Sequence, residues 1–481
     1  MAFHHSSLNL LSTFIMLLCL MLFVLSAGAW WFLDGIWAWS AGLFYLAYDV
    51  WLIFFVLFQT RHLATQRHIF PFAKITTQNS IQTLAHSTII NNPTISVLIP
   101  ARNESLILPK CIEALFAQQD VKAKIYIIDD GSTDHSAQLL EQKYGLATSQ
   151  GLIQSTLRQN LFVLRQASQG KAKALNSALS YIDSDLMVTL DADTVIAPNA
   201  LQAFITDFQN SPNLVASGGV LKPVCRPNRF SRLVNCFFEF FQQFEYIFSF
   251  LSRAACYKAN ALLLVSGAFA IYRTEVLKQV GGFDPDSMVE DYELNHRIYR
   301  YALEHDLDWT VGITGQAYGV TDAPNGFKAF FHQRKRWFGG FLQTQFAYLD
   351  MMANHKYGAV GRLMLPMKMF DAIQPFLGLS AFIILGILIF QADFTQPNPV
   401  LYAILLIILG KMTLDLVYHC WGMWLYHRWT EISLSWKDFP AILCATIFAP
   451  FTFQIVKLMG AALGWWVFLT NQKNWRAQRE L

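Results

Sequence analysis

Two apolar stretches, Leu8 to Leu33 and Ile36 to Phe58, separated only by Asp34 and Gly35, constrain this chain more than any other feature of it. Each is long enough to cross about 30 Å of hydrocarbon as a helix. So short a break between them predicts a transmembrane hairpin. A cleaved signal peptide competes for the first stretch, but no basic segment precedes it and a second apolar stretch follows at once. The tight turn holds no Lys or Arg, whereas Arg61, Arg67 and Lys74 follow the second stretch. Basic residues collect on the inner side of a membrane, so everything after Phe58 is expected in the cytoplasm. With 54% hydrophobic and 14% charged residues the chain is too greasy to be soluble throughout, yet 481 residues leave room for a large polar domain. The net charge of +3 gives no reason to expect a nucleic-acid partner. The seven cysteines are scattered, with no CxxC pair and no His at metal-ligand spacing, so neither a disulfide framework nor a zinc site is suggested.

From Pro93 to about Gln345 the pattern changes and most of the charges appear. Ile95 to Ile99, Ile125 to Ile128, Leu161 to Leu164 and Leu186 to Leu190 are short apolar runs with polar or turn residues at their ends and helix-compatible stretches between them. Strands alternating with helices predict an α/β domain whose mostly parallel sheet is covered on both faces. Apolar segments return at Asp371 to Phe390, Pro399 to Tyr426 and Phe439 to Thr470. The loop after Phe390 has no basic residue and the one around Arg428 and Lys437 has two, which agrees with an in, out, in path. The last segment contains Pro450, Gln454 and Lys457. A single crossing there would leave Lys473, Arg476 and Arg479 outside, against the charge rule; the alternative is a segment that lies along the interface or turns back. The expected organisation is thus a hairpin over 1–60, a linker over 61–92, an α/β domain over 93–345 and interfacial and transmembrane helices over 346–481.

Ligands of open α/β sheets bind beyond the carboxyl ends of the strands. The residues there are polar: Ala101 to Glu104 after the first run, Asp129-Asp130-Gly131-Ser132 after the second, Asp191-Ala192-Asp193 after the fourth. The first turn has no GxGxxG, which argues against a dinucleotide fold. Carboxylates suit a ribose or base and an oxygen-ligated cation instead; a solvated turn is the plain alternative. Gln169-Gly170-Lys171 opens a helix, where backbone N–H groups and an ammonium attract phosphate. Met288-Val289-Glu290-Asp291 reads as another helix start, which would hold a carboxylate in place for use as a general base. In the helix-like run Phe327 to Tyr348, Gln333, Arg336 and Trp337 share a face, suited to a departing diphosphate and a sugar ring or, equally, to a membrane surface. The stripe Phe237, Phe241, Phe244 and Phe248 reads as interfacial packing.

Taken in order, Asp129-Asp130-Gly131-Ser132, Asp191-Ala192-Asp193, Val289-Glu290-Asp291 and Gln333-Arg334-Lys335-Arg336-Trp337 resemble the motifs of family 2 membrane glycosyltransferases, among them bacterial poly-N-acetylglucosamine, hyaluronan, chitin and cellulose synthases. The resemblance covers Pro93 to Gln345 and extends to the layout of the spans. Where that family often has Thr or Ser before the Glu-Asp pair, this chain has Val289. It implies a GT-A-like cytoplasmic domain between transmembrane helices and an inverting transfer from a nucleoside diphosphate sugar, usually UDP-linked. It further implies a glycan or lipid acceptor, Mg²⁺ or Mn²⁺, and an inner or plasma membrane location. By this match Asp291, with Glu290, is the catalytic pair and Asp193 and Asp191 hold the metal. Ala101, Glu104, Asp129, Asp130, Lys171 and Asp191 face the donor, and Ser266 and Gly267 line the acceptor pocket. Gln333, Arg334, Arg336 and Trp337 close the site. N-acetylglucosamine or a similar hexose is the expected sugar, a growing extracellular polysaccharide the expected acceptor, and a small accessory membrane protein fits the same picture. Transfer of one sugar to a membrane lipid, or a non-catalytic channel or scaffold with a sugar-binding domain, are the rival readings.

Overall fold

A computed structural model of the chain describes residues 10–65, 92–226, 232–430 and 438–470. Arg67, Lys74, Lys437, Lys473, Arg476, Arg479 and most of the expected linker lie outside the described residues. The chain opens with α1 (Leu10–Phe32) and α2 (Ser40–Thr60), joined by the short 3₁₀ turn Gly35–Trp39. Both are apolar along their length, and side chains such as Leu17, Val24 and Phe54 are exposed on the outside, as a helix facing lipid requires.

The central domain then runs β1 (Ile95–Ala101), α3 (Leu108–Phe116), β2 (Lys124–Asp130), α4 (Ser136–Tyr144), β3 (Gly151–Gln154), β4 (Leu161–Gln166), α5 (Lys171–Leu179) and β5 (Leu186–Leu190). It continues with β6 (Thr194–Ile196), α6 (Ala200–Asn210), β7 (Leu214–Cys225), α7 (Arg232–Lys258), β8 (Phe269–Arg273), α8 (Thr274–Gln279), α9 (Glu290–Glu304), β9 (Thr310–Ala323) and α10 (Phe327–Ala347). Among the described residues the strands form one sheet in the order β3-β4-β2-β1-β5-β8-β7-β9-β6. Strands β4, β2, β1 and β5 are parallel neighbours, as the four apolar runs predict. The other half is mixed: β8 is antiparallel to β5 and β7, β7 and β9 are parallel, and β6 is antiparallel to β9.

Successive side chains of a strand point to opposite faces. Val97 and Ile99 accordingly join Leu108, Ile112 and Phe204 under α3 and α6, while Leu98 and Ile128 join Leu175, Tyr272 and Leu294 on the other face. Both faces are covered, which is why these strands are continuous apolar runs rather than alternating ones. The second cluster does not stop at the domain. It continues through Met351, Met364 and Ile373 to Trp39 and Val56, so the sheet and the apolar helices share a core.

Beyond the domain lie α11 (Leu365–Gln391), α12 (Pro399–Thr430), α13 (Asp438–Phe448) and α14 (Phe453–Leu469). Among the described residues four stretches are long and apolar enough to cross a membrane, 13–32, 35–64, 360–391 and 399–430. Helix α11 begins earlier than Asp371 because its charges are neutralised locally: Lys368 bonds Asp371 at 2.7 Å, and the Tyr48 hydroxyl donates to the same carboxylate at 2.6 Å. The last apolar segment is a bent pair, α13 and α14 meeting at 55°. Pro450 in the break lacks the N–H a continuing helix needs and disfavours helical backbone at Ala449. The chain therefore bends here, a geometry that serves a broken crossing and a re-entrant segment alike. Helices α2, α7, α11, α12 and α14 enclose a cavity of about 540 Å³ whose lining includes Tyr45, Asp49, Glu245, Lys411, Asp415 and Lys457. Lys411 pairs with both Asp49 and Asp415. Charges within spans are costly unless paired in this way.

Candidate active site

The carboxyl ends of β1, β2 and β5 lie side by side, and each ends in or is followed at once by a motif residue: Ala101, Asp130 and Asp191. Ala101, buried, pairs in register with Asp129 at the end of β2. Asn103 follows β1 with a left-handed backbone, φ 58°, and its side chain accepts from the Thr133 N–H at 2.8 Å, tying the first loop to the second. Glu104 caps the next turn with its carbonyl, which accepts from Ile107 and Leu108.

The two aspartates of β2 are turned inward. Asp129 is in a buried ion pair with Arg165, 2.7 Å, and accepts from the Ser132 N–H. Asp130 accepts from the Gln166 side chain and from the N–H groups of Gln169 and Gly170 at 2.9 and 2.8 Å. Asp130 therefore shapes the loop that delivers Lys171 as the first residue of α5. Arg165 carried no signal in the sequence beyond its place at the end of an apolar run.

Lys171 is the hub of the site. Its ammonium lies 2.7 Å from Asp191 and 3.3 Å from Glu290, so residues from α5, the end of β5 and the start of α9 converge on one charge. Burial alone would lower its proton affinity, but Asp191, Glu290 and Asp291 together hold it above the ordinary lysine range. Burial likewise works against ionisation of Glu290, yet Lys171 and Arg336 keep its carboxyl below the usual value. Asp291 is different. Burial and the neighbouring Glu290 push its carboxyl up to about 6, despite Lys171. Two adjacent carboxylates with proton affinities driven apart is the pattern by which acid and base roles are divided in enzyme sites.

Asp291 is also held still. Its Oδ2 accepts from the Gly267 N–H at 2.7 Å and its Oδ1 from the Tyr292 N–H at 2.8 Å. A Cβ at Gly267 would lie 3.0 Å from the Asp291 Cβ and 3.3 Å from its Oδ2, so a side chain there would press on the carboxylate. Ser266, expected alongside Gly267, uses its carbonyl to accept from the Phe269 N–H at the head of β8.

Asp193 stands at the other side of Asp191, where Thr321 on β9 donates to it at 3.3 Å. Burial, Asp191 and Asp322 raise its carboxyl to about 7. Such crowding of carboxylates is what a divalent cation relieves, so Asp193 and Asp191 fit the ion expected there. Among the described residues no three His, Cys, Asp or Glu side chains are grouped to hold a metal, so phosphate oxygens of a donor would have to complete the ion's shell.

From α10, Arg336 faces this cluster: it donates to the Met288 carbonyl at 3.4 Å and contributes to holding Glu290 ionised. The Gln333 Oε1 is buried without a hydrogen-bond partner among the described residues. Trp337 is half-buried one helical step away. Arg334 is not brought to the cluster; it points the other way, into an ion pair with Glu245 of α7. Of the stripe on α7, Phe237 and Phe241 pack against Phe453 of α14, Phe244 clusters with Met423 and Ala445, and Phe248 meets Tyr418 and His419 of α12, in keeping with a packing role.

The family model described as glycosyl transferase family 2 matches residues 96–281. The chain carries a family 2 glycosyltransferase domain, and its mixed sheet with helices on both faces is GT-A-like. Among curated proteins it is similar to the poly-beta-1,6-N-acetyl-D-glucosamine synthase of Staphylococcus epidermidis, 28% identical over 251 residues that make up 51% of this chain and 54% of that protein. The protein of the same description from Staphylococcus aureus strain COL is 31% identical over 219 residues, 44% and 48% of the two chains. The chain thus spans about half the length of the curated relatives it matches. Among solved structures, a mannosyltransferase from Pyrobaculum calidifontis in complex with GDP-Man and Mn²⁺ superposes with a TM-score of 0.49 at 17% identity, over 90% of this chain and 99% of that one.

Proposed function

We propose that the protein transfers a sugar, N-acetylglucosamine or a similar hexose, from a nucleoside diphosphate sugar to a growing polysaccharide, with inversion at the anomeric carbon. The observation that carries this reading is the convergence of Lys171, Asp191, Glu290 and Asp291 at the carboxyl ends of the strands, with Asp291 alone of the adjacent pair raised toward neutrality. The similarity to poly-beta-1,6-N-acetyl-D-glucosamine synthases supports the sugar and the polymeric product.

In this mechanism Asp291 takes the proton of the acceptor hydroxyl as that oxygen attacks C1 of the donor sugar. The new C1–O bond forms on the face opposite the departing group, the bond from C1 to the diphosphate oxygen breaks, and the electron pair leaves with the nucleoside diphosphate. A positioned base contributes about 10²- to 10⁴-fold in rate. A Mg²⁺ or Mn²⁺ ion held by Asp193 and Asp191 would supply Lewis-acid neutralisation of the leaving diphosphate. Lys171 and Arg336 add positive charge on the same side, and Trp337 offers a flat face for the acceptor ring. The UDP base would lie over the loops after β1 and β2, bounded by Ala101 and Glu104, with Asp129 and Asp130 acting through the loop shape they fix.

In this reading the domain faces the cytoplasm, which Arg61 after the first two apolar helices and the basic end of α12 support. The cavity behind α10 then gives a growing chain a path between the spans, its paired charges serving sugar hydroxyls and its aromatic walls sugar faces. The same cavity is largely apolar, which favours a second reading in which one sugar is added to a membrane lipid. Product size separates the two: material longer than a single addition from radiolabelled donor supports the polymer, and one glycolipid species supports the rival.

The base must be unprotonated to act. With the Asp291 carboxyl at about 6, transfer should be level above that pH and fall about tenfold for each unit below it. Measured kcat/KM between about pH 5 and pH 8 checks this; a rate that stays level to pH 5 would remove Asp291 from the role.

A further inference from the structure

Arg334 stands inside the Gln333 to Trp337 motif yet faces away from the cluster around Lys171. Its guanidinium makes a two-pronged bond to Glu245 of α7, Nη1 to Oε1 at 2.9 Å and Nη2 to Oε2 at 2.6 Å. The side chain is 4% exposed. The rings of Phe330 and Trp337 each lie 4.6 Å from its Cζ, so the guanidinium is sandwiched against the residue proposed to meet the acceptor sugar. On the far side, Lys457 of α14 reaches the same Glu245 carboxylate at 3.5 Å. One carboxylate thus joins three elements, and α14 belongs to the bent pair at the membrane.

The backbones close around this junction. Gly460 of α14 lies against the Arg334 Cβ, and Gly464 lies against Phe338, both nearer than any larger residue would allow. On its opposite side α10 is fitted to the segment that carries the base. Gly340 packs on Val289, the Phe341 and Tyr292 rings are 4.8 Å apart, and Gln343 accepts from the Met288 N–H at 3.0 Å while donating to the Asp286 carbonyl at 3.0 Å. Helix α10 is therefore clamped between α14 with Glu245 and the start of α9 with Asp291. A shift of α10 about this clamp moves Trp337 relative to the base.

We propose that Glu245 is a positioning residue for the transfer reaction: through Arg334 it sets the place of Trp337, and so of the acceptor, over Asp291. Lys457 extends the same contact to α14, which borders the cavity between the spans. Arg334 then has no part in binding the donor. A two-pronged guanidinium–carboxylate pair fixes orientation as well as distance, which an unpaired lysine or a neutral amide at either place cannot do. Displacements of about 1 Å in a reacting pair cost about 10²-fold in rate, so loosening this pair registers in turnover and leaves the donor pocket as it was.

The proposal rests on the sugar-transfer reading above, and the test keeps the two apart. The full chain in detergent or nanodiscs is assayed with UDP-N-acetylglucosamine for donor affinity, for transfer and for donor hydrolysis to water, with Glu245→Gln, Arg334→Met and the double variant. Transfer should drop by about 10²-fold in each single variant, with donor affinity unchanged and hydrolysis less affected. The double variant should be no worse than the singles, because the two residues act as a unit. Folding is followed separately by thermal unfolding. If Glu245→Gln does not fold, Glu245→Asp, which keeps the charge and shortens its reach, carries the test with the same expectation of lost transfer at unchanged donor affinity. Wild-type transfer in a folded Glu245 variant, or loss of donor affinity in folded Arg334→Met, would overturn the proposal. A wild-type chain that binds the donor and transfers nothing would instead count against the proposed function.

Discussion

Asp291→Asn should abolish transfer, by about 10²- to 10⁴-fold in kcat, while binding of the nucleotide sugar stays within about twofold of wild type. The amide keeps the shape of the side chain and can still accept at Oδ1 from the Gly267 or Tyr292 N–H, so the start of α9 should hold its place. It cannot take a proton. The neighbouring Glu290 is no substitute, because Lys171 and Arg336 overcome the effect of its burial and keep it a weak base. Single-turnover assays with radiolabelled donor, beside equilibrium binding of the same donor, read both halves of this expectation. Parallel loss of binding and transfer would point to a structural role for Asp291.

Removal of divalent ions should be as damaging. A chelator is expected to bring transfer to background, and Mn²⁺ or Mg²⁺ in excess to restore it, because the charge developing on the leaving diphosphate otherwise meets Asp191 and Asp193. Asp193→Ala should mimic the chelated enzyme and gain nothing from added ion. Donor binding followed by calorimetry with and without Mn²⁺ gives a readout independent of turnover. Undiminished transfer in chelator would withdraw the metal role from Asp193.

How far the sequence reveals this arrangement differs from element to element. Strands β1, β2, β4 and β5 are legible because burial on both faces makes them continuous apolar runs. Strands β7 and β9 are not, although they are longer: glycines, threonines and Pro223 interrupt them, and register shifts near Leu214 and Gly218 break the periodicity. In the site, acidic residues at strand ends mark the place. Their partners do not show. Arg165 binds Asp129 from a neighbouring strand, and the Gly267 N–H binds Asp291 across 24 positions, contacts that only the sheet order creates. Arg334 is instructive in another way. At about 100° per residue it lies off the face shared by Gln333, Arg336 and Trp337, so helical periodicity already separates it from them. Its partner Glu245 is hidden in a phenylalanine-rich helix. The bend at Pro450 was legible only as a conflict between length and charge, since proline breaks a helix without dictating the direction of the next one.

Incubating membranes that contain the full chain with a panel of radiolabelled nucleotide sugars, beside membranes containing Asp291→Asn, tests the central claim most directly. The proposed function predicts that one donor, UDP-N-acetylglucosamine or a near relative, labels a product longer than a single addition in the wild type and labels none in the variant. Labelled product of equal amount from both chains, or none from the wild type with any donor, would contradict it.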